Sequence, residues 1–316
     1  LDQLQVIFMV QVPPLSSAPL SHHLLVLIEN LLIRYWTHGK GTPLLLIHGL
    51  GASLEYWYKN ADYLAQFYQV IMLDLPGFGG SALPDFSPTL ENYAHFIKKF
   101  LMTFNIQHVF LVGHSLGGGL ALRFSECYPE SVKKMILIEA VGFHRCLNWG
   151  FRLLSLPLIG IYLTNQSTEK NFGAILRQHV YNPESISNEF IQAIYPLQNS
   201  EDKKRFFLLI LSKTVNFWGI KSSILEEIQK NISSLNQSKT LIIWGREDTV
   251  LKYKEHTQAA QQLLPQSVIL TLEKCGHIPQ IECSNQLNNI IRDFLNADSC
   301  TTSYARLGNP PDFNFN

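Results

Sequence analysis

Short runs of consecutive apolar residues alternate along most of the chain with segments whose apolar positions recur every three or four residues. Leu24–Glu29 and Leu32–Thr37 are β-rich apolar runs separated at Glu29-Asn30, a pattern that predicts a hairpin. Pro43–His48, Gln69–Leu73, His108–Val112 and Lys134–Ile138 are nearly continuous apolar runs. Strands of a parallel sheet covered by helices on both faces need that pattern, because neither face meets water. Between them, Leu90–Phe104 places Ile97, Leu101 and Phe104 at helical spacing, and Leu116–Cys127 reads as a small-residue helix following a strand. This order implies right-handed β-α-β crossovers.

The rhythm stops after Ala140 and resumes with a strand at Lys239–Trp244, a helix near Thr257–Leu264, a strand at Val268–Leu272 and a last helix at Ser284–Leu295. Residues 141–238 lack strand alternation and carry helical stripes such as Phe206, Phe207, Leu209 and Ile210, so they read as a helical cap inserted into the core. The expected fold class is α/β: a mostly parallel central sheet with an N-terminal antiparallel hairpin, helices on both faces, and the inserted cap. The core is expected over residues 21–140 and 239–296, with irregular termini at 1–20 and 297–316.

Composition narrows the function classes. Hydrophobic residues make up 46% of the 316 and charged residues 16%, with 25 basic against 25 acidic side chains. A large core without a strongly charged face follows, and nucleic-acid binding is disfavoured. Five cysteines with no C-x-x-C pair argue against a disulfide framework or a zinc site and for a reducing compartment. The apolar run Gln5–Val12 is short and follows Asp2 rather than a basic residue, unlike a signal peptide, so cytoplasmic residence is expected. The longest apolar stretch elsewhere, Phe151–Leu163, contains Arg152, Pro157 and Gly160 and falls short of the ~20 residues a bilayer span needs. It could instead lie on a membrane surface as an interfacial cap helix.

Candidate chemistry sits at the ends of the expected strands. Gly113-His114-Ser115-Leu116-Gly117 joins a strand to a helix, which is the setting in which a strained turn thrusts a serine hydroxyl out of the sheet edge. The Leu116 amide, at the helix N-terminus, would then face the same point as one oxyanion donor. A serine hydroxyl needs a base and an acid to orient that base. Of eleven histidines, His277 lies in the loop after Val268–Leu272, and Asp248 follows the preceding strand. Glu139, which also ends a strand, is the rival acid. Gly49 and Gly51 flank Leu50 after another strand, and the Leu50 amide is the candidate second oxyanion donor. Asp74–Ser81 is a glycine-rich loop that lacks any phosphate-binding pattern and reads as structural.

The motifs I-H-G-L-G-A-S at 47–53, D-L-P-G-F-G-G-S at 74–81, G-H-S-L-G-G-G at 113–119, W-G-R-E-D ending at Asp248 and C-G-H-I-P around His277 together resemble the α/β-hydrolase superfamily. The resemblance spans roughly Leu24 to Leu295 and implies a serine-nucleophile enzyme with Ser115, Asp248 and His277 in that chain order. It implies no metal or organic cofactor, and the cap, with its aromatic and aliphatic side chains and few fixed charges, predicts a small-molecule substrate with an apolar acyl or aromatic part. Relatives with an aspartate nucleophile are excluded by Ser115. Hydrolases of ring-cleavage products are similar at residues 74–81 but usually place Trp after the catalytic histidine, where this chain has Ile278. A carboxylic ester hydrolase is the leading expectation. Carbon–carbon bond hydrolase, thioesterase and perhydrolase are alternatives on the same triad, and a non-catalytic ligand-binding scaffold is the alternative of another class.

Overall fold

The structure is a computed structural model and describes residues 8–10, 23–235 and 239–297. Nine of its strands form one sheet: β1 Phe8–Val10, β2 His23–Ile28, β3 Leu31–His38, β4 Pro43–Ile47, β5 Gln69–Leu73, β6 Val109–His114, β7 Val132–Ile138, β10 Thr240–Gly245 and β11 Val268–Leu272. Their order is β1-β2-β3-β5-β4-β6-β7-β10-β11. The pairs joining β1, β2, β3 and β5 are antiparallel, and all the others are parallel. Glu29 and Asn30 both adopt positive φ (46° and 71°), the conformation a two-residue hairpin turn demands, and so set Ile28 opposite Leu31.

Side chains along each central strand point alternately into two cores. Leu45, Ile47, Leu111, Leu137 and Ile242 pack on one face against the helices α2 (Leu90–Thr103), α3 (Leu116–Cys127) and α10 (Tyr253–Leu263). Leu44, Leu46, Val112, Ile136 and Ile243 pack on the other against α1 (Tyr58–Ala65) and α12 (Ser284–Asn296). Burial on both faces is why these strands read as unbroken apolar runs.

Two details refine the expected pattern. The N-terminal 1–20 is not wholly irregular, because Phe8–Val10 pairs with His23–Leu25 and satisfies the outer edge of β2. The rest of 1–20, and everything after Ala297, lies outside the described residues. The segment between β7 and β10 is not purely helical either. It holds α4 (Trp149–Leu154), α5 (Pro157–Asn165), α6 (Glu169–Arg177), α7 (Asn188–Gln198), α8 (Glu201–Thr214) and α9 (Ser222–Gln229), with a small hairpin of β8 (Val215–Asn216) and β9 (Gly219–Ile220) between the last two. The side chain of Asn216 accepts the Trp218 amide at 2.9 Å, and Gly219 supplies a φ of 114°, which together close this tight turn. A short helix, α11 (Pro279–Glu282), precedes α12. Among the described residues no helix is long and apolar enough to cross a membrane.

Candidate active site

The turn between β6 and α3 holds Ser115 at φ 55° and ψ −116°, a region non-glycine residues rarely enter and one that costs on the order of 1–3 kcal/mol. The neighbouring strand compensates. The Ser115 amide donates to the Ile138 carbonyl at 2.9 Å, and its own carbonyl accepts the Val141 amide at 3.0 Å. Glycine is required on either side: a Cβ on Gly113 would strike the Gly117 carbonyl, and one on Gly117 would strike the carbonyls of Ile47 and His48. These close approaches press the turn against the end of β4.

Opposite the serine, the loop after β11 presents His277. Its Nε2 lies 3.2 Å from the Ser115 Oγ, and its Nδ1 lies 2.9 Å from Oδ2 of Asp248. Three N–H groups converge on the Asp248 carboxylate: Val250 at 2.7 Å and Leu251 at 2.9 Å on Oδ1, and the Trp244 indole at 3.2 Å on Oδ2. The loop is tied down at two more points. The His277 amide donates to the carbonyl of His179, from the insertion, at 2.6 Å, and its carbonyl pairs with Nε2 of His114 at 2.7 Å.

Both candidate acids reach the same histidine. Glu139 Oε2 lies 3.3 Å from the His277 Nδ1 but forms no hydrogen bond, while Oε1 accepts the Gly245 amide at 3.0 Å. Glu139 is completely buried, and burial together with the nearby Asp248 charge pushes its carboxyl well above the ordinary range. Burial and that charge favour the protonated form of Glu139, whereas the Asp248 carboxyl receives three N–H donors. Burial, reinforced by the His277 charge, likewise keeps His114 well below the usual histidine value, and burial pushes His179 down to about 4.

One set of possible metal ligands occurs among the described residues: His114, Glu139 and His277 offer atoms within 4.8 Å of one another. The ring nitrogens concerned already pair with the His277 carbonyl and with Asp248, so the donor set is engaged in ordering the histidine.

The cavity above Ser115 has a volume of about 110 Å³. Leu50 and Leu116 border it beside the serine, and its walls include Phe151, Leu176, Ile210, Val215, Ile220 and Leu251. None of its lining residues is Asp, Glu, Lys or Arg. A neighbouring hollow shares Leu90, Leu116, Ile210, Thr214 and Ile224 with it and reaches Lys213 and Glu227.

Sequence reasoning missed the support beneath this site. Arg34, inside β3, pairs bidentately with Glu55 at 2.7 and 2.8 Å and also pairs with Asp74. Asp74 in turn accepts the amides of Leu54 at 2.7 Å and Gly80 at 2.6 Å, while His48 Nε2 accepts the Leu75 amide at 3.0 Å. This buried network fixes the two glycine-bearing loops against each other. A lone arginine in an otherwise apolar strand was its only signal.

Comparison with known proteins agrees with this geometry. A profile of the alpha/beta hydrolase fold matches residues 42–283. The chain is 26% identical over 270 residues to the dihydrolipoyllysine-residue acetyltransferase component of the acetoin cleaving system of Cupriavidus necator, covering 85% of this chain and 67% of that protein. It is 28% identical over 280 residues to the 2-hydroxy-6-oxo-6-phenylhexa-2,4-dienoate hydrolase of Comamonas testosteroni, covering 85% and 92%. A meta-cleavage product hydrolase from Pseudomonas fluorescens superposes with a TM-score of 0.72 at 24% identity, covering 86% of this chain and 97% of that one, which is a likeness of fold. With more than half of its length matched by the family profile, the chain belongs to the alpha/beta hydrolase fold family.

Proposed function

We propose that this protein is a serine hydrolase that cleaves carboxylic esters carrying an apolar acyl or aromatic part. The observation that carries the reading is the hydrogen-bonded line Ser115–His277–Asp248 opening into a cavity without a charged lining residue. Ser115 Oγ attacks the ester carbonyl while His277 Nε2 takes its proton, and Asp248 steadies the imidazolium through Nδ1. The amides of Leu50 and Leu116 receive the oxyanion, and loss of one such donor typically costs about 100- to 1,000-fold in rate. His277 then protonates the leaving alcohol, and the acyl-serine is hydrolysed by water that the same histidine deprotonates. The helical segment 141–238 acts as a cap that shapes the acyl pocket, since Phe151, Leu176 and Ile210 line it.

A second reading, carbon–carbon bond hydrolysis, is favoured by similarity to the Comamonas testosteroni dienoate hydrolase. A dienoate carries a carboxylate, and burying that charge calls for a cationic partner. The lining offers only histidines, and burial disfavours the charged form of His114 and His179, so a neutral ester fits better.

The test is a substrate panel of p-nitrophenyl esters of increasing chain length and a ring-cleavage dienoate, with Ser115→Ala as control. The expected result is ester turnover that falls at least about 10⁴-fold in the variant. Turnover of the dienoate alone would move the reading to carbon–carbon cleavage, and an active Ser115→Ala protein would remove the serine from the mechanism.

A further inference from the structure

Helix α5 concentrates exposed apolar side chains: Leu158, Ile159, Ile161, Tyr162 and Leu163 all lie open on one short helix. Of its nine residues only Gly160 is buried, none is charged, and Leu158 is 84% and Tyr162 65% exposed. Beside it, Trp149 of α4 meets Phe217 of the β8–β9 turn with ring centroids 5.5 Å apart, and Phe217 meets Trp218 at the same distance. All three rings are largely exposed, with Trp218 at 66%. Monomeric proteins rarely leave so many large apolar side chains together in water.

The stretches of chain that carry this face hold basic residues and no acidic ones. Residues 140–168 contain no Asp or Glu but include Arg145 and Arg152, and residues 203–225 contain no Asp or Glu but include exposed Lys213 and partly exposed Lys221. The Arg152 guanidinium lies over the Trp149 ring, 4.6 Å from its centroid. Exposed aliphatics, indole and phenol rings at the rim, and basic residues without acidic ones are what the boundary between headgroups and acyl chains accepts. The same elements reach the cavity from their other side: Phe151 of α4, Thr214 at the end of α8, and Val215 and Ile220 of the hairpin line it.

We propose that the face formed by α4, α5 and the β8–β9 turn docks on a phospholipid bilayer with anionic headgroups. The site then takes its acyl substrate from that bilayer, a clause that rests on the hydrolase reading, whereas docking does not.

The test uses the full chain with vesicles of phosphatidylcholine and phosphatidylglycerol. Trp149 and Trp218 are exposed while Trp36, Trp57 and Trp244 are buried, so docking is expected to shift tryptophan emission to the blue as well as to sediment the protein. The variant Leu158→Ser/Ile161→Ser/Trp218→Ser should lose vesicle binding by about tenfold or more and keep its turnover of a soluble short-chain ester. Ser115→Ala should bind vesicles as the parent does, which separates failure of docking from failure of catalysis. A parent protein that neither sediments nor shifts its emission overturns the proposal, as does a triple variant that binds undiminished. Light scattering that finds a dimer broken by the triple variant, without vesicle binding, assigns the face to a second copy and also overturns it.

Discussion

The turn at Ser115 and helix α5 stand at opposite extremes of constraint within one chain. Around the serine, hydrogen bonds from two strand ends, glycines pressed against backbone and a histidine fixed through amide, carbonyl and both ring nitrogens leave no freedom. On α5, one residue in nine is buried, and Leu158, Ile161 and Tyr162 stand more than half in the open. The difference follows from what each contacts. Proton transfer needs groups placed to within a fraction of an ångström, so the sheet edge is fixed from several directions. A surface that receives a fluid or varied partner needs area rather than placement.

Substitutions should respect that contrast. After Ser115→Ala, the largest effect is expected at Asp248→Asn, which keeps the shape but loses the charge and the correct histidine tautomer: kcat should fall by roughly 10³- to 10⁴-fold. Glu139→Gln should change kcat by less than about tenfold, because the Glu139 oxygen nearest His277 makes no hydrogen bond. Steady-state kinetics of the two variants side by side settles which acid serves the histidine, and a reversed ranking would transfer the role to Glu139.

Glu139 also carries a pH signature. Its folded-state carboxyl is raised, first by burial and then by Asp248. Below the ordinary carboxylate range both folded and unfolded chains hold this proton, and the stability tied to it is fully present. As pH rises above that range the unfolded chain releases the proton first, and the contribution is lost as pH climbs toward the folded value. Glutamine has no proton to lose, so the Tm of Glu139→Gln relative to the parent should increase from about pH 5 to about pH 8. A difference that shrinks over this interval would mean that Glu139 is ionised in the folded protein. At the far end of the scale, Leu158→Ser should alter unfolding free energy by no more than about 0.5 kcal/mol, read by denaturant titration, because its side chain buries almost nothing.

The same contrast decided what could be read from sequence. Strands buried on both faces announce themselves as apolar runs, and a serine between glycines at a strand end has few structural reasons to exist, so the sheet and the approach of Ser115, Asp248 and His277 were legible. The start of α10 was not, because its core-facing positions include His256 and Thr257, which blur the helical period. The two-residue strands of the small hairpin are too short for any period to show. The pairing of Arg34 with Glu55 and Asp74 spans 21 and 40 positions, a distance at which no local pattern operates. The preference for Asp248 over Glu139 rested on its place after the strand that precedes the one leading to His277. Hydrogen bonding distinguishes two equally buried acids that both follow strands.

The 2.6 Å bond between the His277 amide and the His179 carbonyl works as an interlock. Separating the His179 segment from this loop breaks the bond and releases one anchor of the His277 ring. A wall of the cavity and the ring beside Ser115 are thereby fastened together.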